Sequence, residues 1–260
     1  MIQVYKIPVP KEKLQAMPED QRVSFLLLGY AANQLNFYTK IAIFCSNRDS
    51  NNETEQELSS AQTEMAVRLV IGSLHEAYNL IQLRFMRAPR SRLYTPLLDS
   101  AGQEAFTRLK KTFKPKNMFA KMRNAWIFHH PQKTNEVTQA FEDAVANPEW
   151  DKEWNWFCSH SGYNSFFFAS EIVAIQGIAR IVGETDLREE QKTRVKRVLR
   201  VAEDMRQLIY AIIAVLWRKY FGDELPAEGR IDITDAPGVL DVSVPFFVGM
   251  PSPSPADSAP

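Results

Sequence analysis

The sequence predicts an all-α protein, a helical bundle of about five to seven helices with an extended, proline-rich C-terminal tail. Three observations lead there. Only ten of the 260 residues are glycine, and they do not cluster. Apolar residues recur at helical spacing over long stretches, and alternating segments are few. Prolines punctuate the chain between those stretches and gather again near its end. With 45% apolar and 24% charged residues, the composition is that of a globular chain with ample material for a core.

Taken in order, residues 1–20 hold Pro8, Pro10 and Pro18 and read as an extended lead-in. From Gln21 to about Cys45, the apolar residues Val23, Leu26, Leu27, Tyr30, Leu35, Phe37, Tyr38 and Ile41 predict a long, substantially buried helix. A polar loop to Glu57 precedes a second helix over about 60–86, with Ser59 or Ser60 as cap and Glu64 supporting its first turn. Pro89 ends it, and an arginine-rich connector follows. A shorter helix runs from about Asp99 to Phe113. After the break at Pro115, Asn117 is placed to cap a helix over about 118–129. Pro131 disfavours helical geometry at His130 and should end that helix.

Thr134 to Ala146 reads as a short, acidic, solvent-facing helix. The segment from Pro148 to Phe157 holds three tryptophans; it reads as hydrophobic cover over the bundle, with a base-stacking platform as the functional alternative. Helices then run from Tyr163 to Val182 and from Leu187 to about Phe221, with Gly222 as C-cap. The bundle thus spans 21–222. Residues 223–260 carry seven prolines, seven acids and one base. Within them 230–248 can form a hairpin or an extended arm, and the sequence after Met250 should be disordered.

Several classes are disfavoured. The most apolar run, Leu208 to Trp217, is ten residues long, where a membrane span needs about 20. The N-terminus has neither the basic region nor the apolar core of a secretory signal. Two cysteines make no disulfide framework, so a reduced, cytoplasmic protein is the simpler reading. Cys158 and His160 have no second pair at zinc-like spacing, and no glycine-rich phosphate loop appears. No metal and no cofactor is expected.

Although the formal charge sums to zero, the middle of the chain is strongly basic. Residues 105–135 contain no Asp or Glu but eight Lys or Arg, among them Lys110, Lys111, Lys114, Lys116 and Lys121. As contacts to a nucleic-acid backbone these lysines would make binding fall with salt. In the same window Arg123-Asn124 precedes His129-His130-Pro131. An arginine, an amide and a histidine can bind a phosphate and move a proton without a metal. On a straight helix His130 lies about 20° off the line of Arg123 and His129 about 120° away. Geometry within one protomer therefore favours His130. Arg68 and His75 show similar spacing, but Leu69 follows that arginine and the pair sits mid-helix, where packing is the better reading.

Arg123-Asn124 followed by His129 just before a loop resembles the signature of the HEPN superfamily, in the form found in its abortive-infection and toxin proteins. The resemblance covers about a dozen residues. It implies a bundle of four or five helices that dimerises and sets two copies of the motif across one cleft. It further implies metal-independent cleavage of single-stranded RNA through the ribose 2′-OH, in phage defence or as a toxin with an antitoxin or regulatory partner. In that reading Arg123, Asn124 and His129 form the site, with His130 beside them and the lysines on the RNA backbone. The acidic tail could shield the basic face. The alternative is a non-catalytic HEPN-like module that binds a protein, nucleotide or RNA.

Overall fold

A computed structural model of the chain describes residues 2–47, 50–87, 94–115, 117–127, 134–158, 164–183, 187–222 and 229–249. The fold is an all-α bundle with two short strand pairs at its margins.

The lead-in is more ordered than a run of prolines suggests. Strand β1 (Ile2–Tyr5) and a short helix α1 (Lys11–Ala16) precede the first long helix, α2 (Glu19–Ser46). Helix α2 has the expected length but buries a different stripe. Leu28, Ala31, Ala32, Leu35, Ala42 and Cys45 face inward, while Leu26, Tyr30 and Phe37 are exposed. The contact of α2 with the next long helix, α3 (Glu53–Ile81), is the most extensive between any described pair of elements.

Helix α3 (Glu53–Ile81) begins earlier than Ser59. Asn52 is the cap; its side chain accepts a hydrogen bond from the Glu55 N–H at 3.2 Å. Glu64 therefore lies mid-helix, and instead of supporting a first turn it is buried against Arg194 at 2.9 Å. The helix continues as a π-turn, Gln82–Met86. Asp99 caps α4 (Ser100–Thr112) and Asn117 caps α5 (Met118–Met122), each accepting a backbone N–H three residues on.

Helix α6 (Thr134–Val145) is less solvent-facing than its charge suggests, because Ala140 and Ala144 are buried and it packs on α7 (Phe168–Val182). Between them Trp150 and Trp154 cover a small apolar cluster of Ala61, Ala144, Phe168 and Ile172, while Trp156 is 63% exposed. Its strand β2 (Trp156–Phe157) pairs with β3 (Phe166–Phe167). Helix α8 (Leu187–Phe221) runs through the main core, and Gly222 follows it at φ 113°, where a side chain would be strained.

Among its described residues the tail forms no hairpin of its own. Strand β4 (Arg230–Ile233) pairs antiparallel with β1, Ile2 opposite Ile233 and Tyr5 opposite Arg230. The stretch beyond is held by Asn47, which donates to the Val239 and Val242 carbonyls, and by Asn164, which pairs with the Val248 backbone. The sequence after Met250, expected to be disordered, lies outside the described residues. No described helix is long and apolar enough to cross a membrane.

Candidate active site around Arg123

Helix α5 is short and anchored from below. Phe119 and Met122 are fully buried, and Phe119 stacks on Phe113, which stacks in turn on Tyr78 of α3. That aromatic ladder fixes α5 to α3. The α-helix does not continue to residue 129: from Arg123 to Ile127 the backbone is a π-turn. Its hydrogen bonds reach one residue further than in an α-helix, so each residue rotates less about the axis. The helical-wheel argument for His130 therefore loses its basis. His129 and His130 themselves lie outside the described residues, as does Lys116.

Arg123 and Asn124 are brought together, Arg123 Nη1 donating to Asn124 Oδ1 at 3.1 Å. The acid-free window gains carboxylates from other elements. Glu76 on α3 places Oε1 2.9 Å from Arg123 Nη2. Arg108 is similarly held by Asp204 of α8 at 2.9 Å, and within its own helix by Glu104 at 3.2 Å. Lys110, Lys111, Lys114 and Lys121 are exposed, the Lys110 ammonium resting 5.3 Å from the centre of the Phe106 ring.

The sequence reading missed Glu76 and Asn79, while Arg68 and His75 lie mid-helix on α3 as it expected. Arg68 pairs with Glu171 on α7. His75 instead has Nδ1 3.0 Å from Asn79 Nδ2 and 3.7 Å from Glu76 Oε1. Nδ1 accepts from the Asn79 amide when the ring proton is on Nε2 and donates toward Glu76 when it is on Nδ1. Glu76 lies far from Arg123 in the sequence, so no local signal pairs the two. Its carboxylate bridges His75 and the guanidinium that sequence reasoning had singled out. The resulting group (Arg123, Asn124, Glu76, His75 and Asn79) offers a planar cation, two amides and an imidazole within one surface region.

The His75 pKa is lowered from 6.5 by burial and by the nearby Arg123 charge, against the opposing pull of Glu76. At neutral pH the ring is thus an uncharged proton acceptor. The same shift affects stability. Below 6.5 the unfolded chain takes up this proton before the folded one does, so stability falls with pH from there through the lower folded-state value. His75→Gln should flatten that part of the curve, as read by urea unfolding at a series of pH values.

Trp126, on the other side of the π-turn, lies directly on the backbone of α7 at Gly177, where a Cβ would overlap the indole. Gly177→Ala should therefore lower stability by about 1–3 kcal/mol through overpacking, measured as a lower midpoint in thermal or urea unfolding. Among the described residues, no group of three or more His, Cys, Asp or Glu is placed to hold a metal ion.

Compared with protein-family models, with curated proteins and with solved structures, the chain gives no match.

Proposed function

We propose that the protein is a HEPN-like, metal-independent endoribonuclease that cleaves single-stranded RNA through the ribose 2′-OH. The observation that carries this reading is the joined pair Arg123–Asn124, presented on a π-turn immediately before the His129-His130 sequence. π-turns inside helices often mark functional positions. The guanidinium would stabilise charge building on the phosphate, and Asn124 would hold its orientation. His129 would take the 2′-OH proton or protonate the leaving oxygen, with His130 as the neighbouring candidate. The four exposed lysines Lys110, Lys111, Lys114 and Lys121, together with Lys116, would hold the RNA backbone. RNA is required because DNA lacks the nucleophile. The reading includes a homodimer that sets two motifs across one cleft, a cytoplasmic location, and a role in phage defence or as a toxin under an antitoxin or other regulatory partner.

One observation favours a second reading. Glu76 occupies Arg123 Nη2, as in an arginine whose task is to join two helices. On that reading the protein is a non-catalytic helical module binding a protein, nucleotide or RNA.

Purified protein incubated with mixed single-stranded RNA in EDTA separates the two. Under the ribonuclease reading, wild type leaves 2′,3′-cyclic phosphate ends and spares the DNA equivalent, and His129→Ala is inactive but still folded and RNA-binding. RNA left intact at concentrations that permit dimers, while still bound, would establish the second reading instead.

A further inference from the structure

Cleavage through the 2′-OH moves a proton twice: one leaves the attacking hydroxyl, and one reaches the departing 5′-oxygen. The motif histidine serves one of these transfers at a time. The fold brings a further imidazole to Arg123 from another helix. The π-turn that carries Arg123 rests directly on α3. There His75, Glu76 and Asn79 reach solvent among the buried Leu74, Ala77 and Tyr78. The His75 side chain is 17% exposed, shielded but open to a ligand. One carboxylate oxygen, Glu76 Oε1, lies 2.9 Å from Arg123 Nη2 and 3.7 Å from His75 Nδ1. Guanidinium and imidazole are thus neighbours around a single negative charge. A phosphate held by Arg123 would bring its ribose beside the His75 ring.

We infer that His75 is the group that accepts the 2′-OH proton, with Glu76 as its positioning residue. This role rests on the ribonuclease reading and gives that site an acceptor from α3 of the same chain. The 2′-oxygen attacks phosphorus as its proton passes to His75 Nε2. The bond from phosphorus to the 5′-oxygen breaks, and that oxygen takes a proton from His129. The products are a 2′,3′-cyclic phosphate and a 5′-hydroxyl, and water carries the proton from His75 back to His129. Glu76 favours the tautomer with the proton on Nδ1, which leaves Nε2 as the acceptor. Asn79 serves the same tautomer when its carboxamide turns over and presents oxygen in place of nitrogen. Among the described residues, the charges acting on the ring are Glu76 from its own helix and Arg123 from the π-turn packed against it. Burial and the guanidinium outweigh the carboxylate and hold the ring below its ordinary 6.5, so at neutral pH it is ready to take a proton.

The test follows kcat/KM against pH for the full chain on one labelled oligonucleotide. Wild type should lose rate as pH falls through a value below 6.5, where His75 takes up a proton. His75→Gln should lower the rate at neutral pH by about 10²-fold or more and abolish that acid limb, with RNA affinity kept. Glu76→Gln should move the limb to still lower pH, because the carboxylate is the group that pulls the ring's pKa upward. A merely structural role for either residue would change the rate without moving the limb. Circular dichroism checks that each variant is folded. Glu76 has a side chain 51% exposed, so its variant keeps the test usable where His75→Gln does not fold. An acid limb that stays in place in both variants, whatever the rate, would overturn the role of His75 and leave the ribonuclease reading standing. No cleavage by wild type at any pH would overturn both.

Discussion

Arg123→Ala is expected to slow cleavage of single-stranded RNA by about 10²–10³-fold, the usual cost of removing one preorganised donor to a developing charge. The fold should tolerate it. Arg123 and its partner Glu76 both reach solvent, with side chains 28% and 51% exposed, and such pairs add little stability. Melting temperature and RNA affinity should therefore stay near those of wild type while the rate collapses. Arg123→Lys should not recover it, since an ammonium offers a point charge where a planar fork is needed. Single-turnover rates on one labelled oligonucleotide would measure this, and a rate unchanged in Arg123→Ala would remove the arginine from the chemistry.

Glu64→Ala is expected to destabilise the bundle by about 3–5 kcal/mol. The Glu64 and Arg194 side chains are 1% and 2% exposed and meet at 2.9 Å, tying α3 to the first half of α8. Deleting the carboxylate removes the counter-charge that meets the Arg194 guanidinium in the interior, so the loss includes an electrostatic cost as well as a contact. Replacing both residues, Glu64→Met with Arg194→Met, should cost much less, because the desolvation penalty disappears with the pair. Urea unfolding of the two variants side by side measures this; a double variant as unstable as Glu64→Ala would show that packing, not charge, dominates there.

The two parts of the molecule were legible to different degrees. The helices were legible because their apolar periodicity, proline breaks and the cap at Asn117 are local signals. The buried stripe of α2 was not: Leu26, Tyr30 and Phe37 look like core residues but are exposed, and Ala31, Ala32 and Ala42 take inner positions instead. Nor was the neutralised basic window. No reading of 105–135 alone shows that Glu76 and Asp204 arrive from other helices to meet Arg123 and Arg108. Helical angles misled over the motif because a π-turn has no distinct pattern of residue types to announce it.

The pairing of β1 with β4 carries a consequence for synthesis and folding. β4 follows α8 in the sequence, so the ribosome releases it only after the whole bundle has been made. For all that time β1 has no partner strand. A lone two-stranded ribbon is marginal in water, and its contact joins Ile2 to Ile233 across most of the chain, which makes it slow to close. The bundle is thus the scaffold on which this clasp forms last, and amide exchange at Val4 and Ile231 should be the fastest among the strand and long-helix residues of the native protein.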